Sequence, residues 1–475
     1  MHYVSGTDRD QQVLFPEVLD DYVGEDNPVR FIDAFVDSLD LEALGFRHAR
    51  LGEMGRPPYD PGDLLRLYVY GYLHRIRSSR KLEQETHRNV ELMWLLRRLR
   101  PDFKTIADFR RDNTKAIRQV CREFTVLCKR LDLFAGELVA IDGSKLRASN
   151  SKQRNFRGKD LRRLVRRIDQ RIAEYLGALD KEDEAETEMS GPGCPDLRQR
   201  IEALRSERDE YQGLLEGLEK SGKQQVSLTD PDSRLMKSGM RTEVSYNVQT
   251  AVEAKHKLIV AHDVTNRVND LHALGSMASK AKAELGVEGL TVVADRGYYN
   301  ASEIRACVDA GVTPLVAKPQ ISGSWQPGLF RKDDFTYDES RDCYRCPAGK
   351  VLRYCSKGKK RGRWYRHYRT AACGGCELKT QCTRSRHGRK IERWEHEEVL
   401  EEMARRLADR PKVMNQRAML SEHPFGTTKR WMDQGYFLLR GLEKVATEWS
   451  MTVLAYNLKR VIRIVGVPRM IAALG

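Results

Sequence analysis

The chain has 475 residues, 40% hydrophobic and 32% charged, with a formal net charge of +15. That length suffices for two or three buried cores, and the mixed charge excludes wholesale disorder. No run reaches the ~18–20 apolar residues of a membrane span, and Met1 to Gln12 lacks a secretory apolar core, so a cytoplasmic protein with no membrane partner is expected.

The positive charge is clustered. Residues 97–130 hold eleven Lys/Arg against four Asp/Glu, and residues 352–393 hold fourteen against two. Two such blocks point to a polyanion, since each Lys or Arg that meets a phosphate releases a condensed counterion. Six of the ten cysteines crowd into 343–382, whereas Cys121, Cys128, Cys194 and Cys307 are scattered.

Residues 1–133 are expected to be all-helical. Apolar spacing predicts a helix from Phe31 to Leu44. Asp60 then caps a helix that Pro61 opens and that continues through Leu64 to His74. Further helix starts follow at Ser78–Glu83, Val90–Leu99 and Asp102–Asp112. Short helices with tight turns and exposed Arg fit a helix-turn-helix-like DNA module; a plain helical bundle is the alternative.

Leu138–Ile141 is a β-prone run that ends in Asp142. Between 161 and 218 two heptad segments (Leu161, Val165, Ile168, Ile172, Tyr175, Leu179; then Leu197, Ile201, Leu204, Tyr211, Leu215, Leu218) predict an antiparallel helical hairpin turning near Ser190–Gly193, with Arg208 breaking the second. Alternating α/β pattern returns at 241–316: strands at Val244–Val252 and Leu258–Val264, a helix at Leu271–Leu285, a buried strand Leu290–Ala294 ending in Asp295, a helix at Ala301–Ala310 and a strand at Thr313–Ala317. Helices near Glu395–Arg410, Glu422–Met432 and Leu439–Val465 close the chain.

An acid just beyond an apolar strand is costly unless it coordinates something, and Asp142 and Asp295 both stand there. Phosphodiester cleavage and joining need carboxylates that converge on one point to hold divalent ions. The segments AIDGSKLRAS (140–149), DPDSRLMKSG (230–239), YNVQTAVEAKHKLIVAHDVTNRVND (246–270), VVADRGYYN (292–300), DCYRCPAGKVL (342–352) and SEHPFGTTKRWM (421–432) resemble, in order, bacterial insertion-sequence transposases of the DDE superfamily, and PPYDPGDLLRLYVYGYL (57–73) resembles their helical N-terminal domain.

The resemblance implies an RNase H-like mixed α/β sheet flanked by helices. It divides the chain into a helical DNA-binding domain at 1–133 and a catalytic domain at 134–465, with a helical-hairpin insertion at 155–222 and a Cys-rich basic insertion at 330–393. It assigns Asp142, Asp295 and Glu422 to catalysis and to two Mg²⁺ ions, for which Mn²⁺ can substitute. Lys429, Arg430, Arg417, Lys145 and Tyr298 are the expected DNA contacts. Seven residues are two helical turns, so Glu422 and Lys429 would share a helix face, with Ser421 as N-cap and Pro424 in the first turn. The broader pattern has Tyr and Arg where this chain has Asn415 and Ala418, and Arg417 next door is the expected stand-in. Asn247, Gln249 and Asp270 read as strand and cap hydrogen bonders.

Cys343 and Cys346 form one CxxC and Cys373 and Cys376 another, 26 residues apart. Such pairs can close a structural Cys₄ zinc site; reduced thiols without metal are the alternative. The expected function is metal-dependent cleavage at insertion-sequence ends and strand transfer, on double-stranded inverted repeats and target DNA, by a homo-oligomer on the bacterial nucleoid. A structure-selective RNase H-like nuclease and an inactive DNA-binding descendant are the competing readings.

Overall fold

A computed structural model describes residues 17–50, 57–186, 195–319 and 328–475. The polar N-terminus, Cys194 and the hairpin turn expected at Ser190–Gly193 lie outside the described residues.

Helix α1 (Pro28–Asp37) starts where the Asn27 side chain accepts from the Val29 amide at 3.0 Å. It stops seven residues short of Leu44 because local bonds compete with the helical ladder: Ser38 Oγ donates to the Phe35 carbonyl at 2.7 Å, and Asp40 accepts from the Ala43 amide at 2.9 Å. Helix α2 (Pro61–Leu73) has the expected Asp60 cap, which accepts from the Gly62 amide at 2.6 Å, and every one of its residues is buried. Helices α3 (Ser79–Thr86), α4 (Val90–Leu95), α5 (Phe103–Asp112, capped by Asp102) and α6 (Thr114–Arg130) follow.

Strand β1 (Leu138–Arg147) opens the sheet. An insertion comes next: β2 (Asn155–Arg157), α7 (Gly158–Glu186), α8 (Pro195–Ser221) and β3 (Gln225–Ser227). Within it Leu161, Leu215 and Leu218 pack together, and the heptad break at Arg208 is filled by its ion pair with Asp169 at 2.6 Å. Then come β4 (Arg234–Ser238), β5 (Arg241–Glu253), β6 (Ile259–Thr265), α9 (Leu274–Leu285), β7 (Leu290–Ala294), α10 (Ala301–Asp309) and β8 (Val312–Val316). The strand order is β4–β5–β1–β7–β8, with β6 on the far edge of β5. Strand β1 runs antiparallel to β5 and parallel to β7, and β7 runs parallel to β8. This is the expected mixed sheet. Its central strands read as unbroken apolar runs because both faces are covered.

A second, antiparallel sheet follows: β9 (Thr336–Asp338), β10 (Cys343–Arg345), β11 (Val351–Lys360), β12 (Arg363–Arg369), the short α11 (Lys379–Cys382) and β13 (Ile391–Trp394). It has its own core of Phe335, Tyr344, Leu352, Tyr368 and Ile391. Helices α12 (Glu397–Asp409), α13 (Val413–Gly426), a π-helical turn (Thr427–Trp431), α14 (Leu442–Val465) and α15 (Val467–Ala472) complete the chain. Helix α14 is the spine of the largest core, in which Phe31, Leu65 and Phe124 of the N-terminal helices, Tyr246 and Val248 of β5, and Trp449 and Tyr456 all join one cluster. The N-terminal helices therefore share a core with the sheet.

His262 on β6 sits against Ser450 Oγ of α14 at 2.7 Å. Burial, aided by Arg118, pushes its pKa down to about 4. Below about pH 6.5 the unfolded chain takes up a proton that the folded chain refuses, so stability falls as pH drops from 6.5 towards 4, by on the order of 2 kcal/mol. Urea titrations should show this slope in the wild type and a flatter one in His262→Asn; parallel pH profiles would contradict it.

Candidate active site

The parallel pairing of β1 with β7 ends at Ile141 opposite Ala294, so Asp142 and Asp295 are the next residues on two neighbouring strands. Parallel strands lie ~4.8 Å apart, and side chains alternate between faces. Ile141 and Ala294 face the core under α9 and α10, whereas Ala140 and Val293 pack against Val413 and Leu420 of α13. Alternation turns both aspartates to the α13 side. Contrary to the sequence expectation, β1 does not end at Asp142. It continues to Arg147 because β5 pairs with it all the way, from Val139–Glu253 to Arg147–Ser245. The apolar run stops because β7 stops.

Asp142 is held by groups from α13. Arg417 Nη1 lies 3.2 Å from its Oδ2, Ser421 hydrogen-bonds it, and the Gly143 amide donates to Oδ1 at 2.8 Å. Burial nevertheless pushes its pKa up, and Asp295 adds to the rise. Two half-buried, mutually repelling carboxylates favour a cation between them. Asp295 caps the turn after β7 and accepts from the Gly297 amide at 2.8 Å. Arg417 Nε is buried without a hydrogen-bond partner. Lys429 bonds Ser144 Oγ, two residues beyond Asp142 on the same face of β1; burial lowers its pKa and Asp142 opposes that.

Glu422 stands apart from this pair. Its side chain is exposed, although the preceding residue, Ser421, is fully buried against Asp142. Helix α13 begins at Val413, so Ser421 is not an N-cap but a mid-helix residue, and Pro424 lies inside the helix. The helix survives proline by widening into the π-helical turn, where Thr428 Oγ1 donates back to the Pro424 carbonyl at 2.9 Å. That widening removes the regular two-turn relation between Glu422 and Lys429, which is why Lys429 reaches the sheet and Glu422 faces outward. Arg430 is exposed beside them. Among the described residues no three His, Cys, Asp or Glu side chains are spaced to hold a metal ion as they stand.

Behind β1 lies a network that sequence reading treated as ordinary strand bonding. Asp270 Oδ1 accepts from Asn247 at 2.7 Å and from Gln249 at 2.8 Å, and its Oδ2 pairs with Lys145 at 3.0 Å. Tyr298 donates to Gln249 Oε1. A Cβ on Gly143 would sit 2.9 Å from Asp270 Oδ1 and 3.0 Å from the Tyr298 hydroxyl, so glycine is required for this close approach. Tyr298 is 1% exposed and Lys145 pairs with Asp270, so both brace the strand that carries Asp142. The Gly143–Gln249 and Lys145–Asn247 cross-strand register that builds this network is invisible without the β1–β5 pairing.

In the Cys-rich insertion, Cys346, Cys373, Cys376 and Cys382 line one pocket. Burial raises the Cys382 thiol's pKa, with Arg389 opposing and the other three sulfurs adding to the rise. Cys343 is not among them: it is buried in β10, which pairs on both edges. The sequence pairing of two CxxC motifs therefore picked three of these four thiols and missed Cys382.

Two protein-family profiles match the chain in order: a transposase domain over residues 17–112 and a transposase DDE domain over residues 345–462. Residues 17–112 thus match one transposase domain, and residues 345–462 a transposase DDE domain after it. The second match includes Glu422 and Lys429 and leaves Asp142 and Asp295 outside it. No curated protein matches the chain. Among solved structures, the piggyBac transposase synaptic complex with hairpin DNA, determined by cryo-EM, aligns over 92% of this chain and 75% of its own at 10% identity and a TM-score of 0.31, a likeness too slight to carry an argument. No described helix is long and apolar enough to cross a membrane.

Proposed function

We propose that this protein is a transposase that cleaves insertion-sequence ends and joins the freed 3′-hydroxyl to target DNA, using Asp142, Asp295 and Glu422. The observation that carries the reading is the pair of aspartates on adjacent strands, each one residue beyond the β1–β7 pairing and turned to one face beneath the helix that bears Glu422. Their hard oxygen donors, one of them destabilised by burial and by the other, suit divalent cations. Asp142 and Asp295 would hold two Mg²⁺ or Mn²⁺ ions, with Glu422 brought in from α13. Bound there, the ions would supply the charge that an in-line phosphoryl displacement requires.

The chain's own groups then have separate tasks. Arg417 pairs with Asp142 through Nη1, and with a cation on that carboxylate its guanidinium would be available to grip a phosphate. Lys429 and the exposed Arg430 hold the strand end alongside. Lys145, through Asp270, and Tyr298, through Gln249, keep β1 in place. The protein would act as a homo-oligomer on the inverted repeats, in the cytoplasm. A joining assay with a labelled 3′-hydroxyl donor tests this: joined products in Mg²⁺ support transposition. Nicking of branched DNA without joining would instead establish a structure-selective nuclease.

The Cys-rich insertion would hold one structural zinc through Cys346, Cys373, Cys376 and Cys382, which share one pocket and would draw together around the ion, since as they stand no three are spaced to hold it. Metal analysis of the purified full chain should give about one zinc per chain. Cys382→Ser should lose it and Cys343→Ser should keep it; loss on Cys343→Ser, or no zinc in the wild type, would contradict the assignment.

A further inference from the structure

The β11–β12 ribbon is built against its own stability. In the cross-strand register, Arg353 faces Arg369, Lys357 faces Arg366 and Lys360 faces Arg363. Like charges directly opposite one another destabilise an antiparallel pair. The segment 351–369 carries eight Lys/Arg and no acid. Glu395, Glu392 and Asp342 reach Lys357, Lys360 and Arg366 at 3.3, 3.1 and 3.4 Å. Among the described residues no carboxylate pairs with Arg353, Lys359, Arg361 or Arg369. On one face Lys357, Lys359, Trp364 and Arg366 are all exposed, with both lysine ammonium groups over the Trp364 ring, at 4.9 and 5.9 Å. An exposed tryptophan under two lysines adds nothing to the insertion's core, which lies at the other end of the ribbon around Leu352 and Tyr368.

The ribbon is also aimed. Its tip, Arg361–Gly362, takes positive φ at both residues, as a tight two-residue turn between twisted strands requires. Beside the tip, Arg363 Nε donates to Ser302 Oγ at 2.9 Å, and its Nη2 bonds Asn300 Oδ1, which caps α10 in the loop after Asp295. The end of the ribbon is thereby fastened to the same loop that presents the second catalytic aspartate.

We infer that the β11–β12 ribbon is a duplex-DNA docking surface that delivers the DNA to the Asp295 loop, an inference that rests on the transposase reading. Ten residues of strand span ~33 Å, about one turn of B-DNA, and a two-stranded ribbon fits the ~12 Å major groove. The clustered cations relieve their mutual repulsion on phosphates, and Arg363 fixes where the bound duplex points.

The experiment is duplex binding by fluorescence anisotropy across a salt series, on the full chain. The triple variant Lys357→Gln, Lys359→Gln, Arg366→Gln changes only exposed side chains, and a control triple, Arg163→Gln, Arg166→Gln, Arg167→Gln, removes three charges from α7. The ribbon variant should bind at least about tenfold more weakly at 0.1 M salt, with the log–log salt slope reduced by about 2 to 3. The control should match the wild type. Equal loss in both triples, or an unchanged slope in the ribbon triple while the wild type binds, overturns the docking surface alone. A ribbon variant that changes oligomeric state with the slope intact would show that the ribbon meets another copy of the chain, and also overturns it. A wild type that binds no duplex overturns the transposase reading with it.

Discussion

Asp295→Asn is expected to lose Mg²⁺-dependent nicking and joining by at least about 1,000-fold, the scale seen when one member of a cooperating catalytic set is removed, while the protein stays folded. Asparagine keeps the shape and can still accept from the Gly297 amide, so the turn after β7 survives. What disappears is a negative charge that raises the pKa of Asp142. Removing it should leave thermal stability unchanged or slightly higher, since sites that gather like charges trade stability for activity. Parallel melting and nicking assays on Asp142→Asn and Asp295→Asn check both halves. Nicking within tenfold of wild type in either variant would remove that aspartate from the reaction.

The second large effect concerns the joint between the N-terminal helices and α14. Glu448 is fully buried; it accepts from the Leu438 and Leu439 amides at 3.0 Å and pairs with Arg77 at 3.2 Å. Arg77, 6% exposed, also donates to the Tyr436 and Asp433 carbonyls at 2.8 and 3.0 Å and lies over the Tyr436 ring. Glu448→Ala strands a buried guanidinium and two amides, and should cost about 3–5 kcal/mol of unfolding free energy. The double variant Arg77→Met, Glu448→Leu should lose less than the sum of the singles, because no lone charge remains. Additive losses, or a single-variant cost under 1 kcal/mol in denaturant titrations, would contradict this account of the joint.

The sequence was most informative where a local rule dominates. Asp60 with Pro61, the helix start at Asp102 and the apolar run ending in Asp295 each carry their signal within a few residues, and the structure has them as expected. The heptad hairpin was legible down to its Arg208 break, whose partner, Asp169, lies on the opposite helix. Long-range pairing was not legible. β1 runs past Asp142 only because β5, about a hundred residues later, continues beside it. Pro424 looked like a first-turn residue, yet α13 starts eleven residues earlier and absorbs the proline in a π-helical turn, which sets Glu422 outward. The exchange of Cys343 for Cys382 has the same origin: spacing ranks CxxC pairs, whereas strand pairing on both edges of β10 decides which sulfurs face one another.

The distance still to be closed is that between exposed Glu422 and the two aspartates. Loading the DNA-bound protein with Fe²⁺ in place of Mg²⁺, then adding ascorbate and peroxide, cuts the backbone near the ion and so maps its neighbours. Cleavage near 142, near 295 and near 422 together, suppressed by excess Mg²⁺, is the expected pattern. Cuts near 142 and 295 with none around 422 would remove the glutamate from the ion site, and cuts at neither aspartate would refute the catalytic assignment itself.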